Sequence, residues 1–327
     1  MSRDEAQFDQ EKEMLVTFSG NANPHLISLL ATYEQYNEYY LIFPWAEGDL
    51  QSFWRDLDPK PSMTHDSVLW VAEQCFGVAK GLLAIHRHQT VNLTRHKSAF
   101  AGHQAIPCPE NQVWPLFGVH GDIKPQNVLW FQDDLRDDKR GILKISDFGL
   151  AEFKTSTTKI YRPSSQVALS ASYRPPECES KNGRIGQSQD IWALGCLYLE
   201  MVAWLLGGWQ LVQEFQQRRA SGEGFSYYGH AADTAFFQIE SVSKDGTAFV
   251  MVKPAVTEFI DYLRSIPTCT EYIHSFLHLI QTEMLILKPT NQRERGRIGA
   301  IELVSKLNRM WQNCQDTEFA TTSVGWL

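Results

Sequence analysis

Apolar residues recur at helical spacing in two segments of the N-terminal part of the chain. In residues 67–86 they form one wide stripe, which predicts an amphipathic helix with Thr64 or Asp66 as its N-cap. A shorter pattern in residues 4–18 predicts another helix among charged positions. Residues 21–24, with two asparagines and a proline, end that helix because they favour a turn.

A third apolar stretch, residues 191–209, has the composition of a membrane span. It carries one charged residue, Glu200, and is nearly long enough to cross a bilayer. A helix buried on all sides in a globular core has the same composition. The start at Asp190, the ending at Gly207-Gly208 and the tryptophans mixed with small residues favour the core helix.

Strand patterns are short and precede most of the helical part. The run YYLIF at residues 39–43 predicts a buried strand, and residues 128–131 and 142–145 predict two more. Residues 87–118 break the pattern with many His, Pro, Gln and Asn residues, and we expect an exposed insertion there. The chain beyond Asp190 is predicted to be mainly helical, and no internal repeat is visible.

Composition and charge exclude several classes of protein. The 327 residues are 43% hydrophobic, which is ample for a folded core and excludes general disorder. A formal net charge of -8 argues against a nucleic-acid-binding domain, which normally has a basic face. Six cysteines without a CxxC pair and a polar N-terminus without an apolar signal segment predict an intracellular protein, cytoplasmic or nuclear.

Residues 119–131, VHGDIKPQNVLWF, concentrate groups that suit phosphoryl transfer. Asp122 can accept a proton from a hydroxyl nucleophile, and Lys124 can neutralise charge on a transferring phosphoryl group. Asn127 offers a hard oxygen ligand for magnesium, and so does Asp147, which follows a predicted strand. Each motif alone is weak evidence, but their order along the chain, separated by a strand hairpin, is a strong signal.

These motifs resemble those of the protein kinase family. His120-Gly121-Asp122, with Lys124 and Asn127, is similar to the catalytic loop, and Asp147-Phe148-Gly149 is similar to the metal-binding motif. The implied catalytic residues are therefore Asp122 and Lys124, and the implied magnesium ligands are Asn127 and Asp147.

The resemblance extends toward the C-terminus. Residues 170–177, which end in Pro-Pro-Glu, resemble the end of the activation segment, and residues 190–195 resemble the start of the buried central helix. Residues 297–303 are similar to the C-terminal motif whose arginine, here Arg297, pairs with Glu177. Arg293 is a rival for that pairing.

Working backward, the same mapping implies a nucleotide site. Glu11 would stand at the ion-pairing position of the regulatory helix and Phe43 at the gatekeeper. Pro44 would offer a backbone carbonyl to the adenine amino group, Ala46 would donate its N–H, and Leu129 would form the floor beneath the ring. A hydrophobic column between the lobes would consist of Leu15, Leu29, His120 and Phe148.

The resemblance covers roughly residues 5–310 and implies an α+β, bilobal kinase-like fold with an incomplete N-lobe sheet and a mainly helical C-lobe. Residues 1–46 would form a partial N-lobe and hinge, residues 47–315 the C-lobe, and residues 316–327 a tail. Insertions are expected near residues 87–118 and 132–141. The implied cofactors are ATP and Mg²⁺.

Two features depart from the family pattern. Ten residues precede Glu11, and they contain neither a glycine-rich loop nor the phosphate-pairing lysine. The expectation is a truncated form of a kinase or a pseudokinase, with truncation favoured because the residues implied in catalysis are retained. Gly121 stands where the family usually has an arginine that binds a phosphate on the activation segment. Its presence predicts an activity that such phosphorylation does not control.

The implied reaction is transfer of the ATP γ-phosphate to a Ser or Thr hydroxyl of a protein, because Asp-x-Lys-x-x-Asn accompanies serine/threonine transfer in the family. Two alternatives stay open: a pseudokinase that acts as a binding scaffold, and a small-molecule phosphotransferase of the aminoglycoside or choline kinase type. The latter shares His-Gly-Asp but usually lacks Asp-Phe-Gly. The expected partner is a protein substrate, with a further protein partner at residues 87–118, and no nucleic acid or membrane.

Overall fold

The structure of the chain is a computed structural model. It describes residue 12 and residues 23–36, 38–90, 114–132, 140–154, 162–163, 170–179, 184–220, 234–244, 248–287 and 296–324. Lys12 is helical, and the rest of the helix predicted in residues 4–18 lies outside the described residues.

Helices make up most of the described C-terminal part. They are α1 (Leu50–Ser52), α2 (His65–His86), α3 (Gln187–Ala220), α4 (Pro254–Ser265), α5 (Glu271–Leu279), α6 (Ala300–Asn313) and α7 (Thr317–Thr321). Short π-helical turns, Phe53–Leu57 and Ile280–Met284, follow α1 and α5, and 3₁₀ turns lie at Pro125–Asn127 and Pro176–Glu179.

Strands form small antiparallel sheets instead of one large sheet. They are β1 (Ala31–Gln35), β2 (Glu38–Ile42), β3 (Gly48–Asp49), β4 (His88–Thr90), β5 (Trp114–Val119), β6 (Val128–Phe131), β7 (Ile142–Ile145), β8 (Glu152–Lys154), β9 (Arg162–Pro163), β10 (Arg184–Ile185), β11 (Phe237–Val242) and β12 (Ala248–Val252). The orders β3-β6-β7 and β4-β5-β8 form three-stranded sheets, and β1-β2, β9-β10 and β11-β12 are pairs. The predicted α+β class is confirmed.

Helix α3 lies at the centre of the core and is buried along most of its length. By length and composition, α2 and α3 could each cross a bilayer. In the most apolar 18-residue stretch of α3, however, 89% of the residues are buried inside the protein, as expected of a core helix. The predicted ending at Gly207-Gly208 is confirmed, because Gly208 has a non-helical conformation with φ 71° and ends the first helical segment of α3. A second helical segment follows it directly and runs to Ala220. The break is compensated by a tertiary hydrogen bond from Trp209 N–H to the Pro59 carbonyl, 2.9 Å away.

Helix α2 begins two residues earlier than its apolar stripe predicts, and Thr64 is the N-cap. The Thr64 hydroxyl accepts a hydrogen bond from Ser67 N–H at 3.2 Å. The segment before β1 packs against α2 at Gly77, where an added Cβ would lie 2.0 Å from the His25 ring. His25 and Ile27 also exchange backbone hydrogen bonds of 2.9 Å with Ile145 of β7. These contacts attach the N-terminal segment to the core.

Local patterns predict three strands well and miss others. Residues 128–131 and 142–145 form β6 and β7 as predicted, and the strand predicted at residues 39–43 is β2, shifted by one residue. The predicted burial of that strand is wrong, because its two end residues are exposed and the three between them are half-buried. The predicted loop 87–118 has strands at both ends, because His88 pairs with the distant Leu116. The β11–β12 hairpin is also missed, since a bulge between Ile239 and Ser241 disturbs its alternation.

Candidate active site

The loop between β5 and β6 is anchored to the buried helix α3 by Asp190. The two Asp190 carboxylate oxygens accept hydrogen bonds from the backbone N–H groups of His120 and Gly121, each at 2.9 Å. The His86 ring donates a third bond at 2.8 Å from its Nε2 atom. Because Asp190 is 1% exposed, these bonds hold the loop in a fixed place on the core helix.

Gly121 is required by the backbone at this position. Its φ is 89°, in the left-handed region that residues with a Cβ atom adopt only with strain. A Cβ there would also lie 3.3 Å from the Leu150 carbonyl oxygen. The glycine that departs from the family pattern therefore fits the conformation of the loop.

His120 links the loop to the strand end that carries Asp147. Its Nδ1 atom accepts a hydrogen bond from Asp122 N–H at 3.2 Å, so the proton lies on Nε2, which donates to the Ser146 carbonyl at 2.9 Å. The ring also packs edge-on against the Phe148 ring, with centroids 5.4 Å apart. Two members of the predicted hydrophobic column, His120 and Phe148, are thus in contact.

The Asp122 carboxylate accepts hydrogen bonds from three side chains. Its Oδ2 atom accepts hydrogen bonds from Lys124 Nζ at 2.5 Å and Asn127 Nδ2 at 2.9 Å. Its Oδ1 atom accepts one from Ser170 Oγ at 2.5 Å, and Lys124 Nζ also lies 3.3 Å from that hydroxyl oxygen. With 9% of its surface exposed, the carboxylate has a single orientation. The structure therefore brings Asp122, Lys124 and Asn127 together.

Ser170 is a site residue that sequence reasoning missed. It lies 48 positions after Asp122, in the segment that resembles the end of an activation segment. No local pattern connects the two positions, and only the fold of residues 170–174 brings the hydroxyl to the carboxylate.

Asn127 and Asp147 lie at neighbouring ends of β6 and β7. The register pairs Val128 with Ile145, and Ser146 N–H donates to the Asn127 carbonyl at 2.9 Å. Asp147 is exposed and has φ 60°, an uncommon conformation for a residue with a side chain. Its Oδ1 atom accepts a bond of 3.3 Å from Gly149 N–H. The turn buries Phe148 and leaves the Asp147 carboxylate at the surface.

The residues predicted to bind adenine lie in two places: Phe43, Pro44 and Ala46 precede β3, and Leu129 lies in β6, which pairs with β3. Asp49 pairs with Leu129 in that register, and Glu47 N–H donates to the Trp130 carbonyl at 3.1 Å. These bonds place the segment that contains Phe43, Pro44 and Ala46 beside the strand of Leu129. Phe43, Ala46 and Leu129 are partly buried and pack against the core.

Two predicted residues of the N-terminal part, Glu11 and Leu15, lie outside the described residues. Leu29, from the predicted hydrophobic column, is partly buried against the core. The assignment of Glu11 to the ion-pairing position therefore stays a prediction.

The predicted pair between Arg297 and Glu177 is confirmed. The two guanidinium nitrogens Nη1 and Nη2 each donate to one carboxylate oxygen at 2.7 Å, in a bidentate arrangement. Both side chains are almost fully buried, and the guanidinium also lies 4.9 Å from the centre of the Trp192 ring. The pair joins the end of the segment 170–179 to α3 and the start of α6, while Arg293 lies outside the described residues.

The donor set suits magnesium bound together with a phosphate ligand. Within the described residues there is no group of three or more His, Cys, Asp or Glu side chains that could enclose a metal ion. Asn127 and Asp147 provide one amide and one carboxylate, which are hard oxygen donors. Mg²⁺ commonly takes only one or two carboxylates from the protein and completes its shell with phosphate oxygens and water. The residues present therefore fit a magnesium–nucleotide complex.

Comparison with known proteins agrees with the motifs that form this site. Residues 116–250 match the family model described as "Protein kinase domain". This region belongs to the protein kinase superfamily. The kinase-like α+β fold expected from the sequence is thus shown for the part of the chain that contains the catalytic-loop motif and the Asp147 motif.

A curated relative of the kinase region is "Cyclin-dependent kinase-like 2" of Oryctolagus cuniculus. It is 25% identical over 178 residues, which are 54% of this chain and 24% of the relative. The match therefore spans about a quarter of the relative's length.

Proposed function

We propose that this protein is a serine/threonine kinase that transfers the γ-phosphate of ATP to a protein hydroxyl. The observation that carries the proposal is the Asp122 carboxylate, which is buried, oriented by Lys124 and Asn127, and already accepts a hydrogen bond from a serine hydroxyl. A base for a Ser or Thr nucleophile needs this orientation and this kind of partner.

The cofactors proposed are ATP and Mg²⁺, which supply the phosphoryl group and neutralise its charge. Asn127 and Asp147 would hold the cation. Because Asn127 Nδ2 donates to Asp122, the Asn127 Oδ1 atom would be the ligand. Pro44 O and Ala46 N would take the adenine edge between Phe43 and Leu129.

In the reaction, Asp122 would orient the incoming hydroxyl and accept its proton at Oδ1, the atom that now accepts the Ser170 hydrogen bond. The substrate oxygen would form the new bond to phosphorus while ADP leaves. The Lys124 ammonium, which contacts Asp122 Oδ2, would stabilise the negative charge that develops on the transferred phosphoryl group.

The proposed substrate is a protein with a Ser or Thr acceptor. The proposed location is intracellular, cytoplasmic or nuclear. The cysteines of the described residues are all free and buried, which suits a reducing intracellular compartment. We also propose residues 1–46 as a partial N-lobe with the hinge and residues 47–315 as the C-lobe.

The test is phosphotransfer from ATP to Ser- and Thr-containing peptides, with and without Mg²⁺. Removing a general base lowers the rate by about 10²–10⁴-fold, so Asp122→Asn should lose nearly all activity. Asp147→Asn should raise the Mg²⁺ concentration that activity requires. Asp56→Asn is the matched control, because Asp56 is exposed and contacts Arg55 outside the site. Activity that survives Asp122→Asn would contradict the assigned base.

A pseudokinase scaffold is the second candidate. The observation that favours it is the Ser170 hydroxyl, which occupies the Asp122 Oδ1 atom that would accept the proton of a substrate. Nucleotide binding at 100 times Kd stabilises a protein by about 2.7 kcal/mol, so thermal unfolding with millimolar ATP separates the two functions. Stabilisation together with transfer supports the kinase, and no stabilisation by ATP supports the scaffold. Transfer to aminoglycosides or choline instead of peptides would support a small-molecule phosphotransferase.

A further inference from the structure

Strand β1 lies at the edge of its sheet and is exposed along its whole length. All five of its residues, Ala31–Gln35, are exposed, and β2 is the strand that pairs with it within the described part of the chain. Backbone N–H and C=O groups on the outer edge of such a strand can pair with a further strand, and proteins commonly prevent this with lysine, proline or a bulge. β1 contains neither lysine nor proline, and its register with β2 is regular at all five positions. The edge is therefore suited to strand pairing.

The β1–β2 sheet is also apolar on the face that points to solvent. The register pairs Ala31 with Ile42 and Tyr33 with Tyr40, which puts these four side chains on one face. Leu41, on the opposite face, packs against the core. Tyr33 is 44% exposed and Ile42 is 41% exposed, although the outer face of an antiparallel sheet is usually polar. An apolar outer face beside an open edge is typical of a surface that is covered in an assembly.

The sequence of β1 is complementary to a second copy of itself. When two β1 strands pair antiparallel with their Tyr33 residues opposite each other, all five residues of each strand take part. Thr32 then lies opposite Glu34 of the second copy, where its hydroxyl can donate to the carboxylate. Glu34 is the one charged residue of β1, so this register places no like charges opposite each other. The stacked Tyr33 and Tyr40 rings of the two copies would form one continuous aromatic surface.

We propose that the β1 edge is an interface between two copies of this chain, joined by antiparallel pairing of their β1 strands about Tyr33. The product is a continuous four-stranded sheet with the order β2-β1-β1-β2. Each copy contributes the same residues, so the contact closes as a twofold dimer. A pair of five-residue strands buries little surface, and we expect a weak dimer that forms as the protein concentration rises. No residue assigned to the proposed reaction lies in this sheet, so the dimer does not depend on the proposed function.

The register gives a test at Thr32, which would face Glu34 of the other copy twice in each dimer. Thr32→Lys creates two pairs of opposite charge, and Thr32→Glu creates two pairs of like charge. Two cross-strand pairs change a dissociation constant by roughly 2- to 30-fold. Measured by sedimentation velocity over a series of protein concentrations, the Kd of the dimer should fall by that factor in Thr32→Lys and rise in Thr32→Glu.

The matched controls are Thr317→Lys and Thr317→Glu. Thr317 is also an exposed threonine, and it lies in α7 near the C-terminus. These variants change the net charge by the same amounts, so any effect of overall repulsion appears in both sets, and the Kd should stay close to the wild-type value. The double variant Thr32→Glu with Glu34→Lys places opposite charges across the interface again and should recover the dimer that Thr32→Glu loses.

Amide hydrogen exchange shows what covers the edge. In the wild-type protein, protection of the β1 amides should rise with protein concentration, and it should rise less in Thr32→Glu. Protection that is high at every concentration would mean that another segment of the same chain covers β1, and the proposed dimer would be wrong. A protein that stays monomeric up to its highest soluble concentration would also overturn the proposal, as would a dimer whose Kd does not respond to the charge at residue 32.

Discussion

The surroundings of α3 and the β1–β2 sheet are stabilised in different ways. Around α3, buried charged side chains have partners: Asp190 holds the loop that begins at His120, Glu177 binds Arg297, and Glu200 binds Arg219. In β1 every residue is exposed. The Tyr33 ring of β1 stacks on the Tyr40 ring of β2 at the surface, with centroids 4.6 Å apart.

This difference separates two tasks of the proposed kinase. The residues proposed to act on the hydroxyl and the metal lie on loops attached to the buried helix and to β6 and β7. The proposed hinge follows β2, whose neighbouring strand contributes little to the core. We therefore expect changes near α3 to affect global stability and catalysis together, and changes in the β1–β2 sheet to have local effects.

The largest effect is expected from Arg297→Met, which leaves Glu177 as a buried carboxylate without its cation. Breaking a buried pair by removing one partner costs about 3–5 kcal/mol. The free energy of unfolding, measured by urea titration, should fall by that amount. Arg55→Met is the matched control, since Arg55 pairs with Asp56 at 2.6 Å on the surface. Equal losses in the two variants would remove the distinction between buried and exposed pairs.

A smaller loss is expected from Gly77→Ala, at the contact between α2 and the segment that leads into β1. The new methyl group would overlap the His25 ring, which the Leu143 carbonyl holds through a bond of 2.8 Å. Overpacking costs about 1–3 kcal/mol, and the better helix propensity of alanine offsets up to about 1 kcal/mol of it. Urea titration measures the net loss.

Gly299→Ala is the control for that prediction, because an added Cβ there meets nothing within 4 Å. Its unfolding midpoint should stay close to the wild-type value. If Gly77→Ala also leaves the midpoint unchanged, the N-terminal segment is attached to the core less tightly than the geometry indicates.

The smallest effect is expected from Tyr33→Ala, which removes the surface stack on Tyr40. The midpoint of global unfolding should not change measurably, while hydrogen exchange of the β1–β2 amides should become faster. A large shift of the global midpoint would show that the sheet and the α3 core unfold as one unit.

Much of the candidate site follows from local sequence. The spacing of Asp122, Lys124 and Asn127 within one loop, and of Asp147 after a strand, identified groups that the fold does bring together. The pair of Arg297 with Glu177 required the family resemblance, because 120 positions separate the two residues. Ser170 and Arg219 carried no recognisable signal, since their roles depend on which distant side chains they meet.

The strands show the same division. β6 and β7 were predictable because they are short apolar runs joined by a charged turn. β4 and β5 were not, because their partners lie outside any local window and the intervening composition is typical of a loop. The continuation of α3 beyond Gly208 also depends on a distant partner, the Pro59 carbonyl that accepts from Trp209.

The sequence by itself determined the class of fold, the buried nature of the central helix and the proposed base and metal ligands. Apolar periodicity and short motifs depend on neighbours along the chain, so they can be recognised without coordinates. The tertiary structure decided which buried charges are paired, where the helix continues, and how Ser170 reaches Asp122. These depend on long-range contacts, in which the energy of a polar group is set by burial and by the partner that it meets.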